Sequence, residues 1–423
     1  MLSTLRNAWK VPELRKRFLW TIFLVAIFRI GIHIPVPGID TSALSTLTES
    51  GGLLSFYNLI SGGAFTKASI LALSVSPYIN ASIILQLLTI AIPSLEQLSK
   101  EGEEGRKKIQ SITRYVSIGI ACVLALGVYS TIANLGATSG VGTLEKIVII
   151  FSLVVGSTFC MWLGDQITQK GFGNGVSILI FVNIVSQIPS TVNSVYTLKT
   201  AGEISIIEIL LFLVGVIALL AVTIFFSLAE RRVPIQYAGK AVGSKVMKGQ
   251  STHIPLSIIG SAVIAIIFAM SVMMFPTTIA AFFPSKGWAS WITSSKYSIF
   301  NTGTWMYPVC YAVLTVFFTW FYTQITFKPD EMAENLHKSA GFVPGIRPGE
   351  ATEKYFEKLL TKVSIIGGLF AAFLAVTPIL VGKYISGVQF GGTSLLILIG
   401  VALDFSRQLD SQLVMRHYDG FLK

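Results

Sequence analysis

The sequence predicts an all-α, polytopic membrane protein of about ten transmembrane helices, and three observations carry that prediction. Hydrophobic residues fill 52% of the 423 positions and charged residues only 13%, whereas a soluble domain carries about 25% charged residues to cover its surface. Apolar runs approaching the roughly 20 residues needed to cross a bilayer recur along the whole chain. The basic residues gather on alternate connections between those runs, the pattern that orients membrane proteins.

In order, the runs cover 18–36, 68–92, 115–135, 147–164, 176–196, 209–228, 256–276, 304–327, 363–382 and 390–407. The fourth and tenth are short, and the tenth decides on which side the chain ends. With the N-terminus inside, 25 of the 32 Lys and Arg fall on inner segments. Only Lys67, Lys146, Lys199, Lys286, Lys296 and Lys383 fall outside, and Arg29 lies within the first span. One span more or fewer would invert every later connection and spoil the asymmetry. Both termini are therefore expected on the cytosolic side.

The net charge of +11 would suggest a nucleic-acid partner in a soluble protein; here the basic residues serve orientation. Cys122, Cys160 and Cys310 sit inside apolar runs without CxxC or His spacing, so neither metal site nor disulfide framework is expected. The first run lacks a small-residue cleavage site and ends in Pro35-Val36-Pro37-Gly38, against a cleavable signal peptide.

Two inner connections are large, 229–255 and 328–362, and both are polar and basic at intervals. They serve either as docking surfaces for a cytosolic partner or as solvated connectors. Five spans precede the midpoint and five follow, dividing the chain into an N-terminal half, 1–198, and a C-terminal half, 199–423. An odd number of spans per half inverts the second, as in many transport folds.

The stretch 53–65 is apolar but too short to cross, about 20 Å as a helix against a core of about 30 Å. It contains Leu53, Leu54, Phe56, Tyr57, Leu59, Ile60 and Ser61, with Gly51-Gly52 before it and Gly62-Gly63 near its end. It is either an interfacial helix lying flat outside or a re-entrant half-helix filling a cavity, with glycine hinges at both ends.

Acidic residues are nearly absent from the spans. Asp165, Glu230 and Asp404 sit at or near inner ends, while Arg29 and His33 lie toward the outer end of the first span. An arginine there reaches the interface or a helix C-terminus. A proton or sodium relay lacks its parts. A conduction path is left with aliphatic side chains and neutral polar ones such as Asn80, Gln86, Asn174 and Ser271. No GxxxxGK[ST] phosphate loop is present, so any energy from ATP belongs to a partner.

Several strings carry a resemblance. They begin with Phe28-Arg29-Ile30-Gly31, Ile34 to Asp40, Ser61-Gly62-Gly63-Ala64, and Pro77-Tyr78-Ile79 with Ala81 to Ile84 and Gln86-Leu87-Leu88. Lys100 to Glu103, Gly105 to Ile109, Gly173-Asn174-Gly175-Val176-Ser177 and Glu230-Arg231-Arg232-Val233-Pro234 follow. Gln250 to Leu256, Phe342 to Glu350 and Phe390 to Ile397 complete the set. In this order they resemble the SecY family, channel subunits of the bacterial protein translocase. Each string alone is weak; the ordered set is specific.

The resemblance implies two inverted five-helix halves around a central hourglass pore, closed by an aliphatic ring. The matching positions are Val75, Ile79, Val176, Ile180, Ile267 and Ile397. Val75/Ile79 and Val176/Ile180 are i,i+4 pairs, each on one helix face. Aliphatic rings exclude ions by dewetting and close softly around a passing chain; without the resemblance these residues read as core or lipid-facing aliphatics. The resemblance makes 53–65 a short re-entrant plug helix. It places a lateral gate between the second and seventh spans, with Asn80, Gln86, Ser271 and Phe275 beside it. Arg347 falls on an inner-loop arginine that the family uses to dock the SecA ATPase and ribosomes, and a planar guanidinium suits such docking. Arg231, Arg232, Lys240, Lys245 and Lys248 add basic surface nearby. The implied partners are the subunits SecE and SecG, SecA, ribosome–nascent chain complexes, secretory and membrane proteins with signal sequences, and membrane lipids. The implied role is a protein-conducting channel of the bacterial cytoplasmic membrane, not an enzyme, with no cofactor.

The chain departs from the family pattern at three places. Ser74 stands where glycine is common, Asp165 replaces a glutamate, and 257–265 lacks the usual Lys, Asn and Pro, with Ile259 in place of Asn. The absent Pro removes a kink, and the absent Asn a polar group, from the gate helix. Two rivals remain at this level. A secondary transporter of a small solute shares the layout but lacks buried acid–base pairs. A membrane enzyme built on His253, Arg347 and Glu350 lacks a nucleophile.

Overall fold

The computed structural model describes residues 9, 11–39, 61–134, 142–202, 205–237, 241–242, 245–246, 251–260, 262–282, 286–295, 297–301, 303–384 and 392–419. The chain forms two compact units. One comprises Met1–Leu198, Met274–Thr302 and Gly400–Lys423; the other comprises Lys199–Met273 and Gly303–Ile399.

The first unit opens with helix α1 (Pro12–Gly31), its proline in the first turn, where no amide hydrogen is missed. Leu14, Thr21, Leu24, Phe28 and Gly31 recur at helical spacing and form its buried face. After a non-helical stretch come α2 (Ser76–Ala91) and α3 (Pro93–Lys100), then α4 (Glu103–Asn134), α5 (Thr143–Lys170) and α6 (Gly175–Thr200). The chain turns by 102° between α2 and α3. The cause is Pro93, which forces Ile92 into extended backbone at φ −112° and ψ 112°.

The expected second span, 68–92, is helical only from Ser76. Before it, 61–75 is a chain of turns that is nonetheless buried: Ala64, Phe65, Leu71, Leu73 and Val75 are all core residues. Apolar periodicity cannot separate a buried helix from buried turns. Ala68 and Ser74, at φ 47° and 49°, take left-handed backbone that breaks any helix.

Irregular backbone at membrane depth survives only inside protein, and here the end of α1 supplies partners. The Val36 amide donates to the Ala68 carbonyl at 2.8 Å, and the Ile70 amide to the Ile34 carbonyl at 3.0 Å. The Ser69 hydroxyl donates to the Gly31 carbonyl at 3.1 Å and accepts from the Leu71 amide at 3.1 Å. Val36, Phe65, Ala68, Ala72 and Leu73 then pack with Ala125 of α4 and Ile149 and Leu153 of α5.

The second unit begins with α7 (Ile206–Leu228), capped by Ser205, whose hydroxyl accepts from the Ile207 amide while Glu208 accepts from the Ser205 amide. Its only buried residue is Thr223, and Ile207, Leu210, Leu211 and Phe225 stand exposed, a surface made for lipid. Next come β1 (Glu230–Tyr237), β2 (Ala241–Val242), β3 (Lys245–Val246) and β4 (Ser251–Ser257). Helices α8 (Ala262–Phe282), α9 (Gly287–Ser294), α10 (Met306–Phe327) and α11 (Pro329–Lys338) precede β5 (Gly341–Phe342), α12 (Glu350–Tyr384) and α13 (Gly392–Asp419). Helices α9, the end of α8 and most of α13 belong to the first unit.

The expected seventh span, 256–276, starts as helix only at Ala262. Leu256 and Ser257 end β4, and the Ile258 amide bonds the Ala229 carbonyl at 3.2 Å, closing the hairpin base instead. Helices α10 and α12 pack along each other. On α10, the buried hydroxyls of Thr315, Thr319 and Thr323 each donate to the carbonyl one turn back, at 2.7–2.8 Å. A hydroxyl bonded to its own helix can be buried without a stray donor.

Among the described residues, six helices are long and apolar enough to cross a membrane, and the bent α2–α3 pair is either a seventh, broken span or a re-entrant loop. The shorter apolar helix Ala262–Thr277 falls below that length. Helix α1 carries Arg15, Lys16 and Arg17 in its first turns, and α13 carries Asp404, Arg407 and Asp410. The protein is a multi-pass membrane protein.

Helix α5 meets the buried turns at Gly156, where any Cβ would run into the Ile70 carbonyl oxygen. Backbone cannot swing aside as a flexible side chain does, so Gly156→Ala is expected to lower stability by about 1–3 kcal/mol. A lowered melting temperature in detergent checks this; unchanged melting would show that the turns yield.

Candidate functional site

The expected aliphatic ring divides between the units. Val75, Ile79, Val176 and Ile180 belong to the first, and Ile267 and Ile397 to the second. Val75 is completely buried at the mouth of α2, and the Ile79 amide bonds its carbonyl at 3.1 Å. The two side chains thus share one face although Val75 lies before the helix proper. Val176 and Ile180 lie on the first turns of α6, held by a local cap. The Asn174 side-chain oxygen accepts from the Ser177 amide at 3.2 Å, and its carbonyl from the Ile178 amide at 3.0 Å. Ile180 is buried; Ile79 and Val176 are half-buried.

In the second unit, Ile267 is half-buried on α8 and its carbonyl accepts from the Ser271 hydroxyl at 2.9 Å. Ile397 is buried on α13. Of the expected gate residues, Asn80 and Ser271 are half-buried and Gln86 is exposed. Phe275 is 66% exposed, a large aromatic with most of its surface open.

Of the expected plug, Leu53, Leu54, Phe56, Tyr57, Leu59 and Ile60 lie outside the described residues. Ser61, Gly62 and Gly63 lie in turns, with both glycines at positive φ, 67° and 85°. A Cβ on Gly62 would stand 2.6 Å from Asn183 Oδ1 and 3.0 Å from Arg29 Nη1. Arg29 was expected to reach an interface or a helix end; its Nη1 instead points inward at Gly62.

Sequence reasoning passed over Asn183. It is completely buried on α6, and its Nδ2 donates to the Ser74 hydroxyl at 3.3 Å. The Ser157 hydroxyl of α5 donates to the Ser74 carbonyl at 3.1 Å. An amide in the middle of the apolar stretch 178–185 was the available signal, because a buried amide is kept only where it bonds something. Asp165 also gains a setting: Arg114 Nη2 lies 2.8 Å from its Oδ2, and Gln110 Nε2 donates to its Oδ1 at 3.3 Å.

The two large connections, 229–255 and 328–362, fold together. Strand β1 pairs antiparallel with β4 along its length, from Glu230 opposite Ser257 to Gln236 opposite Ser251, and its far edge pairs with β5. Val233, Ile235 and Leu256 of this sheet form a core with Ala333 and Leu336 of α11 and with Val343, Phe356 and Leu360. They are therefore one folded body rather than two separate solvated connectors. Arg231 and Arg232 are exposed on β1. Lys240 and Lys248 lie outside the described residues, as does the side chain of Lys245 on β3.

Arg347 is exposed on the turn leading into α12. Its carbonyl accepts from the buried Thr352 hydroxyl at 2.8 Å, and the neighbouring Ile346 packs on the sheet core. The guanidinium is thus offered from a fixed backbone. Nearby, Lys354 Nζ donates to Glu350 Oε1 at 2.6 Å and holds that carboxyl below its ordinary range. Among the described residues, no three His, Cys, Asp or Glu gather to hold a metal ion.

The family profile described as SecY matches residues 69–406. The protein translocase subunit SecY of Rickettsia typhi is 40% identical over 420 residues, covering 97% of this chain and 96% of that one. Among solved structures, a protein-conducting channel is 17% identical with a TM-score of 0.67, covering 97% of each chain. Sec61 from the canine ribosome–channel complex of the endoplasmic reticulum gives 17% identity and a TM-score of 0.62, again over 97% of each chain. The structural likenesses show a shared fold.

Removing the charge of Asp165 would leave Arg114, whose side chain is 36% exposed, without its buried partner. Asp165→Asn is expected to lower stability by about 1–3 kcal/mol, less than for a fully enclosed pair. Thermal melting in detergent reads this; a variant as stable as the parent would show that solvent replaces the ion pair.

Proposed function

The chain belongs to the SecY family, and from that premise we propose that it is the channel subunit of a protein translocase. It passes unfolded secretory polypeptides across the bacterial cytoplasmic membrane and releases membrane-protein segments sideways into lipid. The observation that carries this reading is 40% identity to a translocase subunit over 97% of the chain. A small-solute transporter is not favoured by that relationship. Both termini lie in the cytosol, and the protein itself catalyses no reaction.

In this reading the halves 1–198 and 199–423 enclose the pore, and Val75, Ile79, Val176, Ile180, Ile267 and Ile397 form its waist. An aliphatic waist suits cargo of every sequence, because it offers no polar group that a passing side chain must match. The stretch 53–65 is the plug that stops the outer funnel. Asn80, Gln86, Ser271 and Phe275 border the lateral gate, where exposed Phe275 suits contact with a signal sequence or lipid.

SecE and SecG complete the complex, and SecA or a translating ribosome drives it from the cytosol. The folded inner body, with Arg231, Arg232 and Arg347 exposed, supports its role as their dock. Guanidinium groups on a rigid body lose little freedom when they pair with carboxylates or phosphates.

Two measurements test the reading. Replacing Ile79, Ile180 and Ile397 by Gly should raise resting ion conductance several-fold in planar bilayers; unchanged conductance would remove those residues from the waist. Arg347→Glu should suppress SecA-driven translocation at least tenfold, about what losing 1.4 kcal/mol of docking costs, while membrane assembly stays intact. Full translocation by that variant would remove the docking role.

A further inference from the structure

We propose that Asn183 and Ser74 form a buried polar bolt that holds two walls of the channel waist in register and so sets the seal of the resting channel. This rests on the channel reading, and it assigns positioning roles to two residues outside the aliphatic ring.

Ser74 is in the left-handed region at φ 49°, where a residue with a Cβ is strained. Strain of this kind persists only where surrounding contacts enforce it. Two contacts do so here: Asn183 Nδ2 donates to the Ser74 hydroxyl at 3.3 Å, and the Ser157 hydroxyl donates to its carbonyl at 3.1 Å. Ser74 and Asn183 are both completely buried, where a hydrogen bond is stronger than in water and its loss leaves a stranded polar group.

The position of this bond gives it leverage. Ser74 directly precedes Val75, and Asn183 lies three residues beyond Ile180, so it follows that side chain by one helical turn. The bond therefore ties the wall that carries Val75 and Ile79 to the wall that carries Val176 and Ile180. The same amide reaches a second element, for a Cβ on Gly62 would stand 2.6 Å from Asn183 Oδ1. Only glycine lets the backbone come so close at φ 67°. Asn183 thus contacts both ends of the buried turns that run from Gly62 to Ser74.

The test measures resting ion conductance of the chain assembled with SecE and SecG in planar bilayers, together with SecA-driven translocation of a signal-bearing precursor. Asn183→Ala and Ser74→Ala should each raise resting conductance about fivefold, the ratio set by about 1 kcal/mol of lost hydrogen bonding. The double variant should also rise about fivefold, because both changes remove one bond. Ser74→Gly relieves the backbone strain but lacks the hydroxyl; it too should leak, which separates the bond from general loss of stability. If Ser74→Gly and Asn183→Ala both seal like the parent, or if their effects multiply in the double variant, the bolt is overturned. A parent complex that moves no precursor would overturn the channel reading and the bolt together, whereas a parent that translocates beside tightly sealed variants overturns the bolt alone.

Discussion

Backbone amides and carbonyls placed within a bilayer must find partners inside the protein, since hydrocarbon offers none. Helices meet the requirement internally. The turns from Ser61 to Val75 meet it only in part, through short bonds such as Ala68 to Phe65 and Ser74 to Leu71, and the structure around them supplies further partners. Pro35 forms a β-bridge with Ser69, flanked by the Val36–Ala68 and Ile70–Ile34 bonds, and Ser69, Ser157 and Asn183 contribute side chains. Once these partners are in place the turns cannot drift. Val75 is therefore delivered to one fixed point at the mouth of α2, and with it the proposed waist.

The same scarcity of water explains how sparingly polar residues are used. Apolar side chains gain little by choosing a neighbouring helix over lipid, so close packing and a few hydrogen bonds must do the sorting. Gly156 lets α5 approach the Ile70 carbonyl. The buried hydroxyls of α10 bond their own helix, while Gln324 reaches across to the Thr361 hydroxyl on α12 at 3.0 Å. Asp165 is buried, yet its charge is met by Arg114 and Gln110. Each of these polar groups either closes on its own backbone or joins two elements.

The body built from the two large connections obeys the other solvent. There a three-stranded sheet and α11 enclose Val233, Ile235, Leu256 and Phe356 as a small soluble domain would, while Arg231, Arg232 and Arg347 face water. Water drives those apolar groups together. One chain thus carries two cores built on different physics, and the charged surface sits on the part stiffened by the hydrophobic effect.

Composition and the spacing of apolar runs determined by themselves that this is a multi-pass helical membrane protein, because burial in lipid demands long uncharged helices wherever the chain crosses. The ordered motifs also determined the family, whereas Asn174, read as a neutral polar group for a conduction path, caps α6 in the structure. Tertiary structure alone decided that 61–75 is buried turns rather than helix, since hydrophobicity reports burial and not backbone angles. It alone joined the connections 229–255 and 328–362 into one sheet, because strand pairing between distant segments leaves no local signal. It alone brought Ser74 to Asn183, 109 residues away in sequence. A hydrogen bond between distant residues depends on how the intervening helices pack, and no window of sequence contains that packing.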